Sequence, residues 1–243
     1  MQPQLRLSRQ TRFLPRQNES DVTDTTSAVE GERHALTRRR ILDTALELVD
    51  SEGLKALSMR RLGAALGVEA MSLYHHFPSK EELLDGLVAT VLSEVPLPEA
   101  TPTGWEDAVR QGFAAFRRIL LAHPELFPLI ANRPPVQRET LVVVARAFAI
   151  LEAAGFDPRQ AGSAWTTLLA YTFGFVQCEI TGMGEATRGD AMLSILGEHS
   201  EPDLTGLRNV HLALDPWDGD WEFAEGLEVL LAGLRARLRA GAG

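Results

Sequence analysis

The residues best placed to do chemistry lie within positions 58–77, which read SMRRLGAALGVEAMSLYHHF. The apolar spacing predicts two short helices joined by a tight turn at Gly67 and Val68. Gly67 accepts a positive φ without strain, and Gly63 is small enough for the second helix to cross close to the first. This pattern is typical of a helix-turn-helix, whose second helix enters the major groove of DNA. A two-helix corner within an α-helical bundle would show the same spacing.

The predicted groove helix exposes side chains suited to base edges. Its outer face is expected to offer donors, acceptors and a methyl group from Glu69, Ala70, Ser72, His75 and His76. The Tyr74 hydroxyl could reach a backbone phosphate. The segment therefore predicts a surface that could read DNA.

Cations open three of the neighbouring helices. They are Arg38, Arg39 and Arg40 at the first helix, Arg60 and Arg61 at the second, and Lys80 at the fourth. Phosphates would flank a helix lying in the major groove, so cations are expected on either side of it. Each charge alone is an ordinary solvated side chain, but their convergence on one helix favours DNA binding.

The elements that position these residues are predicted to be helical throughout. Helical periodicity dominates from Thr37 onward and alternating β-branched runs are absent, so the fold class is predicted to be all-α. Capping residues and helix breakers predict four helices in the N-terminal part: about 37–52, from after Ser58 to 66, about 69–77, and one that begins after the Ser79 capping box. They predict further helices at about 105–122, at about 125–131, from Pro134-Pro135 to Ala154, and at about 158–181, 189–197, 203–213 and 218–240.

Composition indicates a globular chain with an uneven charge. The chain has 243 residues, a formal net charge of −9 and one cysteine, which favours a reducing, cytoplasmic setting. No apolar run approaches the roughly 20 residues of a spanning helix, so no membrane association is expected. Residues 1–40 carry 8 arginines and 5 acidic residues, whereas the remainder carries 16 basic and 28 acidic residues. Residues 1–32 are expected to be a disordered extension, either a solvated tail or an arm that contacts DNA.

Residues 35–95 resemble the DNA-binding domain of TetR-type transcriptional regulators. The matching motifs are ILDTALELVDSEGL, SMRRLGAALGV and SLYHHFPSKEELL. The stretch from Trp105 through HPELFPLIANRPP to WEFAEGLEVLLAGL is similar to the tetracycline-repressor-like C-terminal half. The resemblance implies an N-terminal three-helix helix-turn-helix domain at 35–95 and a larger helical ligand-binding and dimerisation domain at 105–241. It also implies a homodimer, a near-palindromic double-stranded DNA operator and a small-molecule inducer.

The resemblance also implies roles for individual residues. Arg60 matches a contact to the DNA backbone, and Tyr74 and His76 match phosphate contacts. Met71 departs from the polar or proline residue of some relatives and could contact a thymine methyl. The predicted DNA-contacting set is Arg38, Arg40, Ser58, Arg60, Glu69, Ala70, Met71, Ser72, Tyr74, His75, His76 and Lys80.

A ligand cavity is expected in the C-terminal half. Its candidate lining residues are Trp105, Phe113, Phe116, Leu120, His123, Phe127, Trp165, Leu169, Phe173 and Gln177. Most are apolar at helical spacing and could equally be ordinary core, and His123, beside Pro124, could be purely structural. Tetracycline-class relatives use a histidine near the end of the short sixth helix to hold a drug-bound metal. Here that stretch reads Leu129-Ile130-Ala131, which favours a larger apolar or aromatic ligand and no metal.

These features predict a ligand-responsive transcriptional regulator, and a repressor rather than an activator. The main alternative is a small-molecule sequestering protein with vestigial DNA-binding helices, against which the clustered cations argue. A helical enzyme that uses the cavity is a third possibility. The sequence lacks the common nucleophile-elbow, phosphate-loop and zinc-protease motifs, so neither catalytic residues nor a cofactor is expected.

Overall fold

A computed structural model describes residues 36–96, 104–133, 137–183, 194, 197, 204–213 and 217–241. Within these ranges the chain forms α-helices and short 3₁₀ turns without a β-strand, which confirms the all-α prediction. The predicted extension at 1–32 lies outside the described residues, as does nearly all of the predicted helix at about 189–197. None of the described helices is long and apolar enough to cross a membrane.

The helices follow one another closely along the chain. Their bounds are α1 Arg38–Glu52, α2 Met59–Leu66, α3 Ala70–Tyr74, α4 Lys80–Ser93, α5 Trp105–Ala122, α6 Phe127–Asn132, α7 Arg138–Ala153, α8 Pro158–Ile180, α9 Thr205–Ala213 and α10 Gly219–Gly241. Two 3₁₀ turns, Leu54–Ala56 and Pro124–Leu126, precede α2 and α6 respectively.

Side-chain caps explain why several helices begin where the sequence predicts. The Ser58 hydroxyl accepts a hydrogen bond from the Arg61 amide at 3.1 Å, and Ser79 accepts one from the Glu82 amide at 3.1 Å. Asp157 forms a reciprocal capping box at the start of α8. Each cap satisfies amides that the first helical turn leaves without a partner.

The third and sixth helices are shorter than predicted. The third was expected over about 69–77 but ends at Tyr74, and the amides of His76 and Phe77 both donate to the Leu73 carbonyl. Phe77 precedes Pro78, and the residue before a proline is disfavoured in helical geometry. The sixth was expected over about 125–131 but begins at Phe127, after the 3₁₀ turn at 124–126.

Helix α4 belongs to two packed layers. Leu83 and Leu87 are fully buried, and α4 packs against α1 in the N-terminal part of the fold. The same helix packs against α5 and α7 in the C-terminal part. Helices α5, α7, α8 and α10 form the rest of that second layer.

A buried arginine ties α5 to α8 and α10. Arg117 is 6% exposed, and its guanidinium donates to Glu179 on α8 at 2.7 Å and to Asp220 on α10 at 2.6 Å. It also lies over the Phe223 ring, 5.3 Å from the centroid. Because a charge buried this deeply is stable only when it is paired, the cluster fixes the start of α10 on the C-terminal bundle.

The close crossing of α2 and α3 yields a stability prediction. A Cβ atom added at Gly63 would lie 2.8 Å from the Val68 carbonyl oxygen and 3.3 Å from the Ala70 amide, both backbone atoms. We expect Gly63→Ala to lower the free energy of unfolding by about 1–3 kcal/mol, measured by urea denaturation at one protein concentration.

Gly162, in α8, is the matched control for that substitution. A Cβ there meets no atom within 4 Å, so Gly162→Ala should raise the free energy of unfolding by about 0.5–1 kcal/mol through helix propensity alone. Equal effects of the two substitutions would contradict the close-approach account of Gly63.

Candidate DNA-binding surface and ligand cavity

Backbone contacts fix the angle between α2 and α3. Gly67 adopts the left-handed conformation with φ 71° and ψ 29°, which reverses the chain after α2. The Val68 amide then donates to the Gly63 carbonyl at 2.9 Å. Because Gly63 has no side chain, α3 starts directly against the backbone of α2. The short α3 is therefore held rigidly by its predecessor.

Helix α3 presents a narrower outer face than the sequence predicts. Met71 is 69% exposed and Tyr74 is 41% exposed, and Glu69 and His75 are also exposed. The remaining predicted base-facing or phosphate-facing side chains, Ala70, Ser72 and His76, are half-buried. The most accessible positions thus combine a carboxylate, a thioether, a phenol and an imidazole.

Two of the predicted phosphate-binding cations also hold the fold together. The Arg38 guanidinium donates to the His76 carbonyl and lies 4.0 Å from the Phe77 ring centroid. The Lys80 ammonium donates to the Leu57 carbonyl at 2.6 Å. Each cation therefore stabilises the packing of the segments around α3. Both residues are also exposed, so they lie at the surface of this part of the fold.

The two arginines at the start of α2 have different surroundings. Arg61 pairs with Glu52 of α1, its Nε lying 3.2 Å from Oε2, and this hydrogen bond holds the pKa of the Glu52 carboxyl below its usual value. Arg60 is exposed and forms no ion pair with any described residue. Arg40 is half-buried, and the Ser58 hydroxyl is engaged in capping α2. Arg60 is thus the cation at this helix start best placed to meet a phosphate.

The C-terminal helices enclose a cavity of about 270 Å³. Its wall is built from α4, α5, α6, α7 and α8 and is almost wholly apolar. The polar side chains among the described lining residues are Arg133, Thr140 and the indole of Trp165. Such a pocket, apolar with a few polar groups, is typical of a small-molecule site.

The structure brings half of the predicted cavity residues together. Phe113, Phe116, Trp165, Leu169 and Phe173 line the cavity. The other predicted residues lie outside the described wall: Trp105, Leu120 and Phe127 are buried elsewhere, Gln177 is exposed, and His123 lies 3.0 Å from Asp50 on α1. Helical periodicity predicts which face of α5 and α8 is buried, but it does not predict which of the buried residues border the cavity.

Sequence reasoning missed the contribution of α4 and α7 to the wall. Val88, Leu92 and Val95 come from α4 and the residues just after it, and Val143 and Val144 come from α7. Leu84 and Val88 are both buried although α4 belongs to the helix-turn-helix segment. The one available signal was that apolar residues occupy more than one face of α4, which indicates burial on two sides.

Polar contacts also join the N-terminal helices to the C-terminal ones. Arg133, just after α6, donates to Asp85 of α4 at 2.6 Å and also pairs with Glu81. Beside the Asp50–His123 contact, the Leu54 amide donates to Glu125 at 3.4 Å. These partners are about 50 to 70 residues apart, and no local sequence pattern marks them.

The position of Arg60 yields a prediction for DNA binding. We expect Arg60→Gln to weaken binding and to make the slope of log K against log salt shallower by about 1, because one phosphate contact is lost. Fluorescence anisotropy on a duplex selected by the wild-type protein measures both quantities. Arg159→Gln, an exposed arginine in the first turn of α8, should leave the slope unchanged. A wild-type slope in Arg60→Gln would contradict a phosphate contact by this residue.

Family models match both halves of the chain. The model for bacterial regulatory proteins of the tetR family matches residues 41–87, and that for the tetracyclin repressor-like C-terminal domain matches residues 97–238. The two matches cover the helix-turn-helix and the helices that enclose the cavity.

Curated relatives agree with these matches. An HTH-type transcriptional regulator of Saccharopolyspora erythraea is 34% identical over 207 residues, covering 83% of this chain and 85% of the relative. The class D tetracycline repressor protein of Escherichia coli is 29% identical over 209 residues, covering 84% of this chain and 92% of the relative.

Solved structures show the same fold with and without a ligand. Apo ActR from Streptomyces coelicolor is 31% identical and superposes with a TM-score of 0.72, covering 85% of this chain and 98% of ActR. ActR in complex with actinorhodin is 33% identical, with a TM-score of 0.70 over 84% of this chain and 99% of ActR. The chain therefore belongs to the TetR family and is a ligand-responsive, DNA-binding transcriptional regulator.

Proposed function

We propose that the chain is a repressor that a small-molecule inducer releases from a near-palindromic operator. The observation that carries this proposal is that α4 both borders the cavity and packs against α1, whose Arg38 donates to the His76 carbonyl at the end of α3. A ligand that prefers a shifted α4 would disfavour the operator-bound arrangement by reciprocal linkage. Repressors among the relatives, including the class D tetracycline repressor, support this sign of regulation.

The proposed operator contacts come from α3 and its surroundings. Glu69, Ala70, Met71 and Ser72 are proposed to face base edges, with the exposed Met71 against a thymine methyl. Contacts to phosphates are proposed for Arg38, Arg40, Ser58, Arg60, Tyr74, His76 and Lys80. His75 is proposed to face base edges. Because α3 has only five residues, one copy can read only a short half-site.

We propose that the working unit is a homodimer. A dimer places two α3 helices on successive major-groove faces, roughly 34–36 Å apart, and thereby reads a near-palindrome. Large apolar side chains on the last two helices are exposed in the single chain, namely Leu207, Val210 and Leu212 on α9 and Trp221 and Val229 on α10. A second copy packing against α9 and α10 would cover them.

The remaining assignments follow from this proposal. Residues 35–95 would form the DNA-binding domain and 105–241 the ligand-binding and dimerisation domain.

Regulators of this family are in general transcription factors without enzymatic activity, and we propose the same for this chain. Binding to a bacterial chromosome would place it in the cytoplasm. The apolar cavity favours an apolar or aromatic inducer.

Selection from a random duplex pool tests the operator. We expect enrichment of one near-palindrome bound in the nanomolar range, at least ~10³ tighter than a shuffled duplex at the same salt concentration. The reason is that base-edge contacts are lost on shuffling whereas phosphate contacts remain. Equal, strongly salt-dependent binding to every duplex would favour a sequestering protein with vestigial DNA-binding helices.

Substitution at the exposed face of α10 tests the dimer. Val229 is 72% exposed in the single chain, and Val229→Asp should weaken dimerisation at least tenfold because it would bury an unpaired carboxylate. Sedimentation velocity over a concentration series measures the dissociation constant. Val142→Asp, at an exposed valine of α7, should leave it unchanged. A wild-type chain that sediments as a monomer while it saturates its operator would contradict the dimer.

A further inference from the structure

Arg133 contacts both the cavity and helix α4. It follows the last turn of α6 and forms part of the cavity wall. Its guanidinium also pairs with Asp85 and Glu81, both on α4. Arg133 and Asp85 are each about one quarter exposed, at 25% and 24% of the side chain. The residue that borders the cavity therefore also joins the C-terminal bundle to α4.

The described residues of the cavity wall carry a positive charge and no negative charge. Arg133 carries the one formal charge among the described lining residues, and its partners Asp85 and Glu81 are not among them. An anion that enters an apolar cavity loses its hydration and needs a paired cation, whereas a cationic ligand would find no carboxylate in this wall. The wall thus favours a negatively charged group over a positively charged one.

An anion in the cavity would compete with Asp85 and Glu81 for the Arg133 guanidinium. The guanidinium is already bonded to two carboxylates, and a third would leave an uncompensated negative charge beside them. The long side chain of arginine lets the guanidinium change partners without movement of the α6 backbone. Pairing with a ligand would then weaken the link between α6 and α4.

We propose that the inducer carries an anionic group, such as a carboxylate or sulfonate, on an apolar scaffold, and that this group takes Arg133 from Asp85 and Glu81 and so frees α4. The coupling to DNA rests on the proposed function, whereas the preference for an anion does not. The two parts are therefore tested by separate measurements.

Two fluorescent probes of nearly equal shape test the preference. 8-Anilinonaphthalene-1-sulfonate is anionic, and N-phenyl-1-naphthylamine is the same scaffold without the sulfonate. We expect Arg133→Gln to weaken binding of the sulfonate about tenfold or more and to change binding of the neutral probe by less than about twofold. Arg133→Lys, which keeps the positive charge, should restore most of the sulfonate affinity.

Two further variants sharpen the test. Asp85→Asn removes a competitor for Arg133 and should strengthen sulfonate binding several-fold, the opposite direction to Arg133→Gln. Arg118→Gln removes an exposed arginine of α5 outside the described wall and should change neither affinity. Thermal unfolding of each variant verifies that it is folded.

Three results would overturn the proposal. They are equal losses for both probes in Arg133→Gln, a loss of the same size in Arg118→Gln, and failure of the sulfonate to bind the wild-type protein. Operator affinity is measured in parallel, with and without the sulfonate. If the protein binds its operator but shows no preference for the anionic probe, only this inference is rejected. If it prefers the anionic probe but does not bind an operator, only the proposed function is rejected.

Discussion

The structure depends on one constraint, which is that α4 is packed on two sides. It packs against α1 and buries Leu83 and Leu87 fully, while its Val88 and Leu92 border the cavity formed with the C-terminal helices. Protein interiors are close-packed, so a helix shared by two layers cannot shift in one without repacking the other. This constraint gives a small molecule in the cavity a mechanical route to α3, the helix proposed to contact DNA.

Helix α3 would follow such a shift of α4 because it has little support of its own. A helix of five residues is not stable in isolation, and its position is set by the backbone contact at Gly63 and by braces at its end. Arg38 braces that end from α1, and Lys80 joins the first residue of α4 to the turn before α2. The cations around α3 thus serve the fold as well as the proposed phosphate contacts.

Local signals in the sequence predicted most of the helices, whereas contacts between distant residues could not be predicted. Ser58, Ser79 and Asp157 mark helix starts because a cap acts on amides two or three residues away. The link between Arg133 and Asp85 spans 48 residues, and no periodicity encodes it. The sequence predicted a cavity in the C-terminal half but not its exact wall, since periodicity predicts which face is buried but not where packed side chains leave space. The third helix ends at Tyr74, where the His76 amide donates to the Leu73 carbonyl three residues back, and the apolar pattern does not mark this tightening of the last turn.

The central claim is that the cavity and the operator oppose each other through α4. The most direct measurement is the affinity of the cavity for 8-anilinonaphthalene-1-sulfonate with and without saturating operator duplex. Linkage requires the operator to weaken the probe by the same factor by which the probe weakens the operator, typically 5- to 150-fold. The account predicts equal, reciprocal losses within that range. A probe affinity that is identical with and without operator would contradict it.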